Sequence, residues 1–319
     1  MHVLDSVRTA QVLPYSRLVP AVRQAAIELA AGTIVAPERQ VVTLDPPSVL
    51  LSMPAIGADI GVTKLITVHA ANRHHGLPAI QGEVIVFDTV TGKRHALLDG
   101  PTVTARRTAA MTLLGIETLA PRKPVSVLII GTGVQAAAHA DALVEYFGID
   151  ELRVAGTTLA RAESFAAAMR MRHRALVVNA HASDSIKHEV PPADVLIALT
   201  TARAPVLPPT VAAETLVVGV GAFKPDMAEL PSALLHARPI VVDDLAGARH
   251  EAGDLIQAGI DWNGVTALAD ILSGRMKRPS RVPVFKTVGQ AAWDLAAARV
   301  ALGALPSFNA SASSTSGHD

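Results

Sequence analysis

The sequence predicts an α/β protein, with a doubly wound parallel sheet over residues 119–282 and a mixed α+β unit from residues 1–118 with 283–306. Three observations predict it. Val125 to Ile130 is an apolar run that meets the glycine turn Gly131-Thr132-Gly133-Val134-Gln135-Ala136, followed by a helix-like run from Ala137 to Tyr146. From Pro121 onward short apolar runs alternate with helical stretches, the pattern of a parallel sheet with helical crossovers. Before Pro121 the β-like runs follow one another directly, separated by turn residues.

Taken in order, Tyr15 to Ala31 carries apolar residues at helical spacing (Leu18, Val19, Val22, Ala25, Ala26, Leu29) and stops at Gly32. β-like runs follow at Val41–Leu44, Ser48–Met53, Gly61–Thr67 and Glu83–Phe87. Turn residues divide them: Asp45-Pro46-Pro47, Gly57, Gly76-Leu77-Pro78 and Thr91-Gly92-Lys93. The last of these joins two short apolar runs and reads as a hairpin. Thr102 to Leu119 reads as a helix. In the second part the candidate strands are 125–130, 151–155, 176–178, 194–199, 215–220 and 239–242. Pro283 to Leu302 reads as a final amphipathic helix packing back on the first unit. The tail, Ser307 to Asp319, is rich in Ser, Ala and Gly and is expected to be disordered. Its Asn309-Ala310-Ser311 matches a glycosylation acceptor, read as a chance match.

Buried strand, glycine turn and helix start, in that order, are what a Rossmann-type dinucleotide crossover needs. Gly131 permits the tight turn. Gly133 lets backbone approach a pyrophosphate, and Ala136 lets the helix pack closely on the strand. The turn residues Val134 and Gln135 lead into the helix, whose N-terminus offers free N–H groups to the phosphates. The plain alternative is a glycine turn with no ligand. In such folds an acidic residue ending the second strand bonds the adenosine ribose and marks NAD. Here that position is Gly156, and Thr157, Thr158 and Arg161 follow, able to donate to a phosphate. NADP(H) is therefore the preferred cofactor and NAD(H) a possible one; Arg161 could equally be a solvated helix residue.

Composition narrows the function classes. The 319 residues are 50% apolar and 3% aromatic, which suits a helix-rich α/β enzyme with ample core. Lys plus Arg and Asp plus Glu number 28 each, so no net field steers the chain to nucleic acid or to an anionic membrane. The absence of cysteine excludes disulfides, thiolate metal sites and a cysteine nucleophile. Met1 to Leu13 has polar and charged residues where a signal peptide needs an apolar core, and no apolar run reaches membrane-spanning length, so a cytoplasmic location is expected. His69, His74 and His75 lack companions at ligand spacing, and His250-Glu251 lacks a second histidine, so no metal is expected. Asp243-Asp244, after a strand, reads as a helix cap or a cofactor contact.

Several separated segments carry a resemblance: Pro37-Glu38-Arg39, Thr63-Lys64-Leu65, Val103 to Ala110, the glycine turn, Val220 to Leu230, and Val284 to Gly289. In this order they resemble the ornithine cyclodeaminase/mu-crystallin family, and the likeness runs from residue 1 to about 303. The resemblance implies a homodimer with an NAD(P)-binding unit and a second unit that supplies the substrate pocket. It implies that Arg39, Lys64 and Arg107 grip a substrate carboxylate, since a desolvated carboxylate needs cationic, preferably forked, donors. Lys64 lies in an apolar stretch, where an unpaired lysine is expensive. Arg106 is expected to be solvated or near phosphate. Arg107, Thr108, Leu199, Thr200 and Val220 are implied beside the cofactor.

Departures from the family pattern sharpen the expectation. Ornithine cyclodeaminase uses a carboxylate where this chain has Phe223, so deamination with cyclisation is disfavoured and hydride transfer favoured. Val68 to Gly82 looks most like the reductase subgroup. The resemblance thus implies NADPH-dependent reduction of a cyclic imino acid, Δ1-pyrroline-2-carboxylate to L-proline, with Δ1-piperideine-2-carboxylate to L-pipecolate as a second reaction. Lys64 and Asp226 are the candidate catalytic groups, Asp226 favouring the protonated imine; a helix cap near Met227 is the bland role for Asp226. An alanine dehydrogenase, an ornithine cyclodeaminase and a crystallin-like binding protein remain alternatives.

Overall fold

Ten of the thirteen residues of the last helix, Ala291–Gly303, are buried, and that helix explains how the chain is partitioned. The computed structural model describes residues 1–46 and 48–305 and divides into two compact units. One is Met1–Arg107 with the described residues from Gln290 on; the other is Thr108–Gly289. The expected tail, 307–319, and its sequon lie outside the described residues.

The first unit contains β1 (His2–Leu4), α1 (Ser6–Gln11), α2 (Tyr15–Ala30), β2 (Gln40–Thr43), β3 (Val49–Ile56), β4 (Ile60–Val68), β5 (Ile80–Asp88) and β6 (Arg94–Asp99). Its six-stranded sheet has the order β1-β6-β5-β4-β3-β2, antiparallel except for β1 against β6. Side chains alternate across a strand. In β4, Val62, Lys64 and Ile66 are therefore buried while Leu65 is exposed. The buried stripe of α2 is Tyr15, Leu18, Val19, Val22, Ala25 and Ala26.

The helix α3 (Gly100–Leu119) starts in the first unit and ends in the second. The second unit continues with β7 (Ser126–Ile130), α4 (Val134–Phe147), β8 (Glu151–Gly156), α5 (Leu159–Arg172), β9 (Val177–Ala182), α6 (Ser183–His188) and β10 (Val195–Ala198). After these come β11 (Leu216–Gly219), α7 (Ser232–Ala237), β12 (Ile240–Val242), α8 (Leu245–Glu251), α9 (Gly253–Gln257), β13 (Val265–Ala267), α10 (Leu268–Leu272) and β14 (Val284–Lys286). The eight strands are all parallel in the order β13-β12-β14-β11-β10-β7-β8-β9. Their apolar runs are buried on both faces, as helical crossovers require.

Three expectations are corrected here. Pro283 to Leu302 is not one helix: Val284–Lys286 is a strand between β12 and β11, and α11 (Ala291–Gly303) starts after Gly289, whose φ is +85°. Nor is α11 amphipathic, because it is buried nearly all round. The expected boundaries at 118/119 and 282/283 move to 107/108 and 289/290 for the same structural reasons. β14 belongs to the parallel sheet, and the second half of α3 lies on it: a Cβ at Gly115 would fall 2.3 Å from Phe285 Cε1.

Candidate active site

The glycine turn joins β7 to α4. Gly131 has φ +126°, and a Cβ there would lie 2.4 Å from the Leu199 carbonyl oxygen, so the backbone just after β10 excludes any side chain. Gly133 caps α4 in extended conformation, and a Cβ there would meet nothing within 4 Å. The first helical bond runs from Ala137 N to Gly133 O, leaving the amides of Val134, Gln135 and Ala136 outside the helical ladder. Open space above the second glycine, beside a helix N-terminus, fits the pyrophosphate of a dinucleotide. An open cleft lined by Thr132, Arg161 and Arg172 adjoins this turn. Gly156 ends β8 and is buried. Thr157 and Arg161 are exposed; Thr158 caps α5, its hydroxyl oxygen accepting from Arg161 N at 3.3 Å.

The loops after β10 and β11 are held by a buried carboxylate to which the sequence reading gave no role. Glu229 accepts from Thr200 N at 2.5 Å, Gly221 N at 2.6 Å and Ala222 N at 3.1 Å. Asp254 accepts from the Glu229 and Leu230 amides and pairs with Lys286 Nζ at 3.0 Å. Burial pushes the Glu229 carboxyl upward, and Lys286 opposes that shift. This brace fixes the backbone that carries Leu199, Thr200 and Val220. Thr112 Oγ1 and His139 Nε2, 2.9 Å apart, tie α3 to α4.

In the first unit the structure brings together two of the three expected cations. Lys64 Nζ is 2.9 Å from Asp294 Oδ2, and Arg107 Nε is 3.2 Å from Asp294 Oδ1. Lys64 and Arg107 are 1% and 6% exposed, and Asp294 is fully buried. Burial lowers Lys64 from 10.5 to about 8; the charges of Arg107 and Arg39 also lower it, while Asp294 raises it. Arg39, before β2, is half-buried and within electrostatic reach of Lys64. Asp294 was missed by sequence reasoning. A lone aspartate among alanines on a helix carries no local signal; only burial shows its role.

Other expectations fare differently. Arg106 is half-buried and engaged within its own unit: its Nε donates to Leu13 O at 2.7 Å, and its guanidinium lies 4.1 Å from the Tyr15 ring centroid. Asp226 lies in an exposed loop, paired with the exposed Arg203 at 3.0 Å, and no helix starts at Met227 for it to cap. Phe223 is half-buried beside Lys224. Asp244 caps α8 through Gly247 N, while Asp243 accepts from Thr287 Oγ1, Val288 N and Gly289 N. Among the described residues no group of three His, Asp or Glu could hold a metal, and no helix is long and apolar enough to cross a membrane.

These features define a dinucleotide-binding α/β protein whose other unit buries a cationic cluster. The chain belongs to the ornithine cyclodeaminase/mu-crystallin family, whose sequence model matches residues 2–305. It is 47% identical over 303 residues to the Δ1-pyrroline-2-carboxylate/Δ1-piperideine-2-carboxylate reductase of Azospirillum brasilense, covering 95% of this chain and 96% of that one. It resembles the Δ1-pyrroline-2-carboxylate reductase of Thermococcus litoralis, solved with NADH and L-proline, with TM-score 0.85, 26% identity and full coverage of both chains. An archaeal alanine dehydrogenase dimer with bound NAD matches with TM-score 0.82 and 26% identity over 100% of this chain and 98% of that one.

Proposed function

We propose that the protein reduces the C=N bond of a small cyclic imino acid with NADPH, taking Δ1-pyrroline-2-carboxylate to L-proline and Δ1-piperideine-2-carboxylate to L-pipecolate. The observation that carries this reading is the pair of buried cations, Lys64 and Arg107, sharing the carboxylate of Asp294. Two cations on one anion leave a net positive site, suited to the carboxylate of a small imino acid. Likeness to the two pyrroline-2-carboxylate reductases supports the same substrate class.

A reduced nicotinamide, when bound, would supply the hydride for the imine carbon. Arg107 and Arg39 hold the substrate carboxylate and so fix the ring. Lys64 gives one proton to the imine nitrogen, which makes the carbon electrophilic; an N–H bond forms as an Nζ–H bond breaks. Lys64 is left as the neutral amine and regains its proton from water. This assigns the proton to Lys64 rather than to Asp226, whose exposed charge is screened by solvent. Gly156 at the acidic position, followed by Thr157, Thr158 and Arg161, supports NADPH over NADH, although the two solved relatives carry NADH and NAD.

A homodimer is part of the reading. The sheet face turned away from α11 carries the exposed apolar side chains of Val3, Val42, Ile56 and Leu65, a surface that suits a second copy of the chain. The test of function is NADPH oxidation with pyrroline-2-carboxylate, piperideine-2-carboxylate, and pyruvate plus ammonia. Turnover of the cyclic imines is expected. Turnover confined to pyruvate plus ammonia, or ammonia released from L-ornithine without NADPH oxidation by imines, overturns the assignment.

A further inference from the structure

The helix α11 holds one charge that its surroundings do not otherwise call for. Its other charged residue, Arg299, reaches the partly exposed carboxylates of Glu28 and Asp59. Asp294 instead points into the unit, fully buried, on a helix otherwise built there from Ala, Leu and Trp. A buried carboxylate costs several kcal/mol unless it is paired, and an apolar residue would pack there without that cost. Its pairing is specific: one oxygen faces Lys64 from β4, the other faces Arg107 from α3. The strands flanking Lys64 place Met53 and Val84 opposite it, both apolar. The charged groups acting on the ammonium are Asp294, Arg107 and Arg39, and of these Asp294 alone favours its charged form.

We propose that Asp294 is a positioning residue of the reductase site, which fixes the Lys64 ammonium and the Arg107 guanidinium in one geometry and keeps Lys64 loaded with the proton it delivers. This rests on the imine reductase reading for the fate of that proton, but not for the state of Lys64. Asp294 itself does not touch substrate. Removing its charge while keeping its shape leaves Lys64 facing two like charges in a dry site, and the proton is released at lower pH. The balance of the reaction is unaltered: one hydride and one proton still enter the imine, but the donor is empty at neutral pH.

The experiment compares the full-length wild type with Asp294→Asn and Asp294→Glu. In substrate-free protein with isotope-labelled lysine, NMR follows the Lys64 side chain against pH. The midpoint is expected near 8 in the wild type and lower by about one pH unit or more in the Asn variant. With substrate and NADPH, the alkaline limb of kcat/KM should move down by the same amount, so that the Asn variant loses about tenfold or more at pH 8 and recovers part of it toward pH 6. A merely structural residue would lower activity equally at all pH values. The Glu variant keeps the charge and misplaces it; its Lys64 midpoint should stay near that of the wild type while kcat falls about tenfold. It decides the matter if the Asn variant does not fold. An unshifted Lys64 midpoint in a folded Asn variant, or full kcat in the Glu variant, overturns the proposal. A wild type that reduces no imine overturns the functional reading alone, and the NMR midpoints still decide the role of Asp294.

Discussion

Replacing Arg107 with Ala takes one of two cations from Asp294 and, in the proposed role of Arg107, a forked cation from the substrate carboxylate. The expected loss is ~3–5 kcal/mol, or about two to four orders of magnitude in kcat/KM, with NADPH affinity falling much less. Steady-state kinetics with a direct cofactor titration checks it; collapse of cofactor binding alone would assign Arg107 to the phosphates. Gly156→Asp should turn preference toward NADH by about tenfold, since it supplies a ribose acceptor and repels the 2′-phosphate. A Cβ at Gly156 would meet Ala162 N and Thr158 O at 3.0 Å, so Gly156→Ala is the control that carries the same crowding without the charge. Equal kcat/KM ratios in the Asp and Ala variants would remove Gly156 from cofactor selection. The need of Lys64 for a buried partner was legible because a lysine inside Val62-Thr63-Lys64-Leu65-Ile66 contradicts its surroundings. Asp294 was not, because the interaction that gives it meaning joins residues 187 positions apart.

His139 shows what burial does between two helices. Its Nδ1 lies 2.8 Å from the Gln135 carbonyl oxygen and its Nε2 2.9 Å from Thr112 Oγ1, an arrangement suited to the neutral ring. Burial lowers its pKa from 6.5 to about 4. The unfolded chain therefore binds a proton between those values that the folded chain refuses, so stability is intact above 6.5 and is lost as pH falls toward 4, by about 3 kcal/mol at most. Chemical denaturation at pH 7, 5 and 4 should show a smaller acid loss in His139→Gln than in the wild type; parallel curves would refute the assignment. Helix α2 and the β5–β6 hairpin were legible because their periodicity and turn residues are local. β14 was hidden by its length and by Pro283 and Gly289, which look like the approach to a helix. The alanines of α11 fit an amphipathic pattern as well as a buried one, and only the packing separates the two.

At the scale of the whole chain, the strand–helix alternation was visible because each crossover is a local event, whereas the strand order is not written locally: β14, last in sequence, sits between β12 and β11. The outer face of the six-stranded sheet sets the assembly expectation. Leu65→Glu, at the exposed side of β4, should convert a dimer to a monomer in sedimentation, with the secondary structure unchanged by circular dichroism. A wild type that sediments as a monomer would contradict it at once. The path of the chain has a further consequence, in the order of synthesis. A ribosome finishes the first six strands early, yet the helix that fills their core, and the carboxylate that pairs with Lys64 and Arg107, emerge only after the whole parallel sheet has been made. Domains that fold as they emerge do so from the N-terminus. Here the parallel unit, an insertion within the other, is free to fold first, while the unit that begins the chain waits for the last helix to close it.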